Sequence, residues 1–232
     1  MTDGLWVYLA TSPLLWLAGT LVVWLIATAI AGLAPTNPLL NPIMLSIAAI
    51  AIVLCVAGID YGTYFEGAQF IHFLLGPATV ALGIPLFEKL SLVKSNLVPM
   101  LSALVVGSFT AVGSTVFFSH LFGFSPEVVA SMAPKSTTAA VAMAISSGLQ
   151  GDPALTAAVV VLTGICGAIV VTPMMNAMRI KDFSARGFAV GLASHGIGTA
   201  RAYSVDPVAG LFSGIAMGLN AVLTSLIVHL FL

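Results

Sequence analysis

Long apolar runs, separated by short polar stretches, dominate the chain. Five runs contain no Asp, Glu, Lys or Arg, and they cover residues 4–59, 67–87, 95–126, 153–178 and 207–232. Each run is long enough to span a bilayer, since a transmembrane helix needs about 20 apolar residues. The pattern predicts an all-α polytopic membrane protein with about six full transmembrane helices, at residues 6–33, 39–57, 69–88, 97–121, 154–178 and 207–232.

Two further segments are long enough to cross a bilayer but carry polar residues in their middle. Residues 125–149 contain Pro134-Lys135-Ser136-Thr137-Thr138, and residues 184–204 contain Ser194-His195-Gly196-Ile197-Gly198-Thr199-Ala200-Arg201. Irregular backbone is tolerated at membrane depth only where it is buried in protein or lines a cavity. We therefore predict two discontinuous or re-entrant helices of the kind found in transporters.

A break of small and polar residues followed by an apolar helix recurs along the chain. It occurs at residues 76–81, with Gly76, Pro77 and Thr79, and again at residues 134–139 and 195–200. The last two breaks are each followed by an Asp-Pro pair, at residues 152–153 and 206–207. Paired interrupted segments predict internal repeats and a transporter binding site. Small residues are also common wherever membrane helices pack closely, so a packing interpretation stays open.

The composition narrows the class of protein. Hydrophobic residues make up 59% of the 232 residues and charged residues only 6%, against about 25% charged in soluble domains. A soluble enzyme, a nucleic-acid-binding protein and a secreted disulfide scaffold are excluded on this basis. We expect a single integral membrane domain over residues 1–232.

The basic residues predict the orientation. If residues 125–149 dip into the membrane and return, five basic residues lie on one face: Lys89, Lys94, Arg179, Lys181 and Arg186. The positive-inside rule makes that face cytoplasmic, with both termini outside. If the segment crosses fully, these charges split two against three. The returning arrangement is favoured.

Lys135 is the first candidate for chemistry. A lysine at the centre of the bilayer costs about 2.5–3.5 kcal/mol on the insertion scale, so something must offset that cost. We predict that it meets an anionic substrate, helped by the hydroxyls of Ser136, Thr137 and Thr138 and by the positive end of the following half-helix. The alternatives are a lysine that reaches the interface and one paired with Glu127.

The second candidate is the segment around His195. Gly196 and Gly198 free backbone N–H groups, which can form a nest for a carboxylate, with Arg201 as a bidentate partner. Ser194 and Thr199 complete this predicted site. A histidine in a membrane bundle can equally be a structural hydrogen-bonding group, and Arg201 can equally face cytoplasmic water.

Enzymatic chemistry and bound cofactors are not predicted. The sequence contains no zinc-protease motif, no paired cysteines, no nucleophile elbow and no Walker loop. We expect no metal and no cofactor. Gly210, Gly214 and Gly218 form a small-residue face on the last helix, which packs inside the protein or against a partner such as a second copy.

Three stretches carry a family resemblance. Residues 134–143, the segment ASHGIGTARA at residues 193–202, and residues 176–180 resemble the LrgB/CidB family. Asn176, at the start of the third stretch, is a possible additional site residue. The resemblance extends to YohK-type proteins and to the C-terminal half of the plastid glycolate/glycerate translocator. This chain departs from the family pattern at Ala139 and Ala140, where a second threonine and a proline are usual.

The resemblance implies two classes of function. Bacterial members are described as antiholin-like proteins that regulate murein hydrolases and lysis together with a small LrgA/CidA-type membrane partner. The plastid relatives look like carriers of short hydroxycarboxylates, and some bacterial members are linked to pyruvate-type acids. We expect a carrier of small organic anions in the bacterial cytoplasmic (inner) membrane, with an antiholin-like interaction protein as the alternative.

Overall fold

The computed structural model describes residues 12–33, 40, 42–74, 77, 81 and 83–232. All regular elements within these residues are helices, and no strand occurs among them. The helices are α1 (Pro13–Leu33), α2 (Pro42–Ala57), α3 (Tyr61–Phe73), α4 (Gly83–Glu88), α5 (Leu90–Ser95), α6 (Leu97–Leu121), α7 (Pro126–Met132), α8 (Ala139–Gly148), α9 (Pro153–Ala177), α10 (Phe183–Val205) and α11 (Pro207–Ile227), followed by a 3₁₀ turn at Val228–Leu230.

The predicted class, an all-α polytopic membrane protein, is confirmed. In the described part of the chain, four helices are long and apolar enough to cross a membrane by length and composition: α1, α6, α9, and α11 with its 3₁₀ extension. The helices α2 and α8 are shorter apolar helices. Of the predicted spans, residues 69–88 are not one continuous helix, because α3 already begins at Tyr61 and ends at Phe73.

Aspartates start several helices by capping free backbone N–H groups. The Asp152 carboxylate accepts a hydrogen bond from Ala154 N at 2.8 Å, and the Asp206 carboxylate accepts one from Val208 N at 2.7 Å. A proline follows each aspartate in the first turn, where its missing N–H is not needed. The Asp-Pro pairs therefore begin α9 and α11, as the sequence predicts.

The chain divides into two compact units, Met1–Ile84 and Pro85–Leu232. In the first unit, α1 and α3 pack closely. Gly67 of α3 faces the backbone of α1 with no room for a side chain, and the rings of Trp16 and Tyr64 meet edge to face at 5.9 Å. Asp60 caps α3 through Gly62 N, so the polar stretch after residue 60 is helical.

The second unit contains a re-entrant first hairpin, residues 126–148. Its arms are α7 and α8, and its tip is residues 133–138. Both arms are tied to the same place after the hairpin. Ser131 Oγ of α7 accepts a hydrogen bond from Asp152 N at 2.7 Å, and Ser146 O of α8 accepts one from Gly151 N at 2.8 Å. The segment therefore enters and returns at one end of the unit.

Helix α10 is a second hairpin, residues 183–205. His195 has non-helical dihedrals (φ 41°, ψ −134°) and breaks the helix into two arms. A Cβ atom on Gly198 would meet Ser194 and Val190 of the first arm, and Val190 and Ala202 belong to one buried cluster. The arms thus lie side by side, so this segment also returns to the end where it started.

The two hairpins enter from opposite ends of the second unit. The first packs against the late parts of α6 and α11, because Val129 and Ala133 are buried with Val116 and Ile227. The second packs against their early parts, and its buried partners there are Met100, Leu104, Leu211 and Phe212. In the sequence, helix α9 connects the first hairpin to the second. Each of the two interrupted segments predicted from sequence therefore folds back on itself and returns to the end of the unit where it began.

The basic residues named in the sequence lie at one end of this unit. Arg179, Lys181 and Arg186 lie between α9 and the second hairpin, and Lys89 and Lys94 precede α6. Val93, next to Lys94, is buried against Phe188 of the second hairpin. The returning arrangement favoured from sequence, which places these five charges together, is the one observed.

Candidate functional site

The two hairpin tips are joined by one side chain, Asn220 of α11. Its Nδ2 donates to Ser136 O in the first tip at 3.0 Å and to Leu192 O in the second hairpin at 3.1 Å. Its Oδ1 accepts from Ser108 Oγ of α6 at 2.7 Å and from Thr224 Oγ1 at 3.2 Å. Asn220 is fully buried, and four hydrogen bonds satisfy its amide.

The break at His195 is stabilised by contacts to two helices. The buried His195 ring places Nε2 3.0 Å from Val160 O of α9, which makes Nε2 the protonated nitrogen. Gly164 allows this approach, since a Cβ atom there would lie 2.8 Å from His195 Cε1. Thr199 Oγ1 donates to His195 O at 2.7 Å and accepts from Ser213 Oγ at 2.9 Å. A positive φ is strained for histidine, and these contacts hold it.

A single open groove of about 830 Å³ lies beside the two tips. It is bordered by α6, the first hairpin, α9 and the second hairpin. Both interrupted segments contribute polar lining, Lys135 and Ser136 from the first and Ser194 from the second, and Thr110 of α6 and Thr163 of α9 add two hydroxyls. The remaining walls are mostly apolar and include Gly107, Val159, Leu162, Cys166, Val170 and Leu192. We refer to this cavity as the groove.

Lys135 is half-buried on the wall of the groove. No hydrogen bond or ion pair engages its ammonium among the described residues, and the pairing with Glu127 considered from sequence is not observed there. A partly desolvated ammonium without a protein partner is costly in an apolar environment. The arrangement therefore offers an anion a charged group that no described residue neutralises.

Two hydroxyls accompany this charge. Ser136 and Ser194 are buried residues that line the groove, and neither hydroxyl has a hydrogen-bond partner within the described ranges. Thr137 differs, because its Oγ1 donates to Pro134 O at 3.0 Å and both residues are fully buried. Thr138 is the N-cap of α8 without a side-chain capping bond.

Other predicted site residues lie away from the groove. Arg201 lines a small cavity of about 30 Å³ together with Arg186, near the ends of the second hairpin. Asn176 accepts a hydrogen bond from Arg186 Nη2 at 2.6 Å at the end of α9. The structure therefore does not bring Arg201 or Asn176 to Lys135. Arg201 also lies away from His195, so the two do not form the carboxylate site that we predicted for this segment.

The remaining predicted site residues are the two glycines after His195 and the residues of the break at 76–81. Gly196 is exposed and starts the second arm after His195, whereas Gly198 allows the two arms to touch. Pro77 is exposed in a helical position within the first unit. Gly76 and Thr79 lie outside the described residues, so their predicted part in the site stays a prediction.

Sequence reasoning missed Asn220. It lies in a long apolar helix with no neighbouring motif, and only its partners reveal its role. The available signal is chemical: a side-chain amide within an apolar membrane helix needs hydrogen-bond partners. The glycines of α9 were also missed, since Gly164 and Gly167 provide the space for His195 and Ser194.

Metal-binding geometry is not present in the part of the chain that the structure describes. No group of three or more His, Cys, Asp or Glu side chains is placed there to hold an ion. The two cysteines, Cys55 and Cys166, are both free and exposed within the structure.

Comparison with known proteins supports the resemblance seen in the motifs. The family model described as LrgB-like matches residues 20–232. Holin-like protein CidB of Staphylococcus epidermidis is 34% identical over 195 residues, which is 83% of this chain and 84% of that protein. Holin-like protein CidB of Staphylococcus aureus is 32% identical over 192 residues, with the same two shares.

An uncharacterized protein of Bacillus subtilis, YxaC, is 34% identical over 188 residues, which is 81% of this chain and 82% of that protein. No solved structure matches this chain. The match to the family covers both hairpins, the helix that carries Asn220 and every residue of the groove. The chain therefore belongs to the LrgB-like family of membrane proteins.

Proposed function

We propose that this protein is a secondary carrier of small organic anions, of the glycolate or pyruvate type, in the bacterial cytoplasmic membrane. The observation that carries the proposal is the ammonium of Lys135, which lines a groove between the two hairpins and has no partner among the residues that the structure describes. A desolvated charge in that position lowers the stability of the protein unless a group of opposite charge pairs with it. A carboxylate offsets the cost when it binds.

The groove fits a small carboxylate in size and chemistry. Its volume of about 830 Å³ falls within the range of about 300–1,000 Å³ that is typical of small-molecule sites. The Ser136 and Ser194 hydroxyls can donate to the second oxygen of a carboxylate or to a hydroxyl on the neighbouring carbon. The apolar walls suit a short carbon chain.

The arrangement of the hairpins also supports a carrier. Alternating access requires a central site that is reached from each end in turn, and opposed half-helices at that site are common in secondary transporters. The first hairpin enters from one end and the second from the other, and their tips meet at Asn220.

A second candidate function rests on the names of the relatives. The two staphylococcal relatives are called Holin-like protein CidB, which favours an interaction protein that regulates holin activity, murein hydrolases and lysis. Such a protein would act through a small LrgA/CidA-type membrane partner. It would not need an anion site in its core.

Uptake by the purified protein distinguishes the two candidates. Liposomes that contain the protein, with and without the LrgA-type partner, are tested with labelled glycolate, pyruvate and lactate. A carrier gives saturable uptake that unlabelled substrate competes away. Protein-free liposomes are the control. If no labelled acid is taken up in a saturable manner under either condition, the carrier proposal fails and the interaction role is favoured.

A further inference from the structure

The groove is longer than a two- or three-carbon acid requires. Along α9 its wall runs from Val159 to Val170, a distance of about 16 Å at a rise of about 1.5 Å per residue. A three-carbon acid is only about 5 Å long, since a carbon–carbon bond measures about 1.5 Å. Such an acid therefore occupies one part of the groove and leaves the rest of its length unfilled.

Lys135 lies toward one end of this length. It also borders a neighbouring cavity that is lined by later residues of α6, such as Ser114 and Phe118, whereas the groove is lined by the earlier residues Gly107 and Ala111. The ammonium is therefore at the end of the groove that points toward the end of α6 and the start of α9.

Val170 lies at the opposite end of the groove. The next residue, Val171, lines the small cavity that contains Arg186, near the ends of the second hairpin. Helix α9 starts at the other end of the unit, where Asp152 N donates to Ser131 Oγ of the first hairpin. The groove thus has a cation toward one end and an apolar side chain at the other.

The wall between these two ends is an apolar strip on α9. Val159, Leu162, Cys166 and Val170 all line the groove, and steps of three and four residues place them on one face of the helix. Leu162 and Val170 are 60% and 50% exposed. The strip therefore has apolar surface that a bound hydrocarbon chain can cover.

A cation at the end of an apolar strip is complementary to an amphipathic monocarboxylate. An extended alkyl chain advances about 1.3 Å per carbon, given a bond length of about 1.5 Å. A chain of about eight to twelve carbons therefore reaches from the Lys135 end to Val170. Each methylene that leaves water strengthens binding by about twofold to fourfold, so the affinity depends on how much of the strip the chain covers.

We propose that the groove binds medium-chain carboxylates of about eight to twelve carbons, with the carboxylate at Lys135 and the alkyl chain along α9 toward Val170. The position of the carboxylate rests on the proposed function. The alkyl chain rests on the length of the groove and on its apolar wall. Such an acid competes with a short acid for Lys135.

Direct binding tests this proposal without requiring transport. The full-length protein in lipid nanodiscs is incubated with radiolabelled decanoate, and the signal from empty nanodiscs is subtracted. We expect saturable binding. Unlabelled hexanoate should displace the label at least about tenfold less effectively than unlabelled decanoate, because it buries fewer methylenes. Decanol, which has the same chain without the charge, should displace the label poorly.

Two variants test the two ends of the groove. Lys135→Met should weaken the binding of decanoate by about tenfold or more, because it removes the charged partner of the carboxylate. Val170→Trp fills the far end, so it should weaken the binding of labelled decanoate and leave that of labelled hexanoate unchanged. Met174→Trp is the matched control. Met174 is exposed one helical turn beyond Val170 and is not part of the groove lining, so this variant should bind both acids as the parent does.

Equal binding of decanoate by the parent, Lys135→Met and Val170→Trp proteins would overturn the proposal, because the acid would then be held by the bilayer or by another surface. Displacement by decanol as strong as that by decanoate would overturn it as well, as would a lack of saturable binding to the parent. Saturable binding of decanoate without uptake of short acids would contradict the carrier function alone. Uptake of short acids that decanoate does not inhibit would contradict the medium-chain ligand alone.

Discussion

At the scale of single residues, Lys135 and Asn220 differ in how their polar atoms are satisfied at the hairpin tips. Lys135 has no ion pair or hydrogen bond from its ammonium within the described residues, whereas Asn220 has all its polar atoms satisfied. An unpaired cation near the centre of a membrane unit costs stability. An amide with four partners contributes stability and fixes geometry. In the proposed carrier, Lys135 binds the anion and Asn220 positions the two tips.

Replacing Lys135 tests whether its positive charge is needed for uptake or its side chain is needed for folding. We expect Lys135→Met to abolish uptake while the protein still inserts and folds, since removing a desolvated cation relieves its own cost. Lys135→Arg should retain binding only in part, because a planar guanidinium replaces a compact charge. The measurement is uptake normalised to correctly assembled protein.

The matched control is Lys94→Met, which removes an exposed positive charge at the end of α5 and should leave normalised uptake unchanged. A structural lysine would behave differently, because its loss would lower the yield of folded protein together with activity. Transport by Lys135→Met at the parent rate would refute the assignment of the site.

At the scale of elements, the second hairpin depends on close contact with α11. A Cβ atom at Gly187 or Gly191 would overlap the backbone carbonyl of Ala209 or Ser213. The two glycines are four residues apart and so lie on one face of the arm. Small residues at this spacing let membrane helices approach at backbone distance, and the approach places Leu192 O within reach of Asn220.

Gly191→Ala should therefore destabilise the second unit. The added methyl group must push the arm away from α11, and overpacking of this kind costs about 1–3 kcal/mol. We expect a lower apparent melting temperature of the purified protein in detergent.

Gly218→Ala on α11 is the control for this variant, since a Cβ atom there would contact nothing within 4 Å in the structure. Alanine is the better helix former, so this change should leave the melting temperature unchanged or raise it slightly. Equal melting temperatures for Gly191→Ala and the parent would show that the hairpin does not need backbone contact.

At the scale of the whole molecule, charge and topology agree. The five basic residues that set the predicted orientation lie at the end of the second unit where the second hairpin starts and finishes. Glu127 and Asp152 lie at the opposite end, beside the bases of the first hairpin. From the positive-inside rule we expect the second hairpin to open to the cytoplasm and the first hairpin to the outside.

Orientation can be measured with single cysteines in a Cys55→Ala, Cys166→Ala background. Lys94→Cys and Lys181→Cys should be protected from an impermeant thiol reagent in intact cells, because both positions lie at the predicted cytoplasmic end. Glu127→Cys should be labelled. Permeabilised cells, in which all three should react, provide the control. Labelling of Lys94→Cys or Lys181→Cys alone would contradict a first hairpin that returns.

The sequence determined the class and the landmarks of this protein. Apolar runs of membrane length require helices, because backbone groups in lipid must be satisfied within the segment. The polar runs at residues 134–138 and 194–201 cannot face lipid, so the sequence alone predicts a break in the helix at each of them. The Asp-Pro pairs fixed the starts of α9 and α11 through local capping, which depends on neighbours in the chain.

Only the tertiary structure decided what those landmarks contact. Arg201 and His195 are six residues apart in sequence, yet the break at His195 separates their surroundings and leaves Arg201 beside Arg186. Asn220 lies 84 residues from Ser136 and 28 from Leu192, and no local pattern announces a bond across such separations. Local capping and hydrophobicity are properties of neighbouring residues. The contact between the two hairpin tips depends instead on packing between distant parts of the chain. Glycines that belong to no recognisable motif, such as Gly164 and Gly167, leave room for the side chains of the second tip.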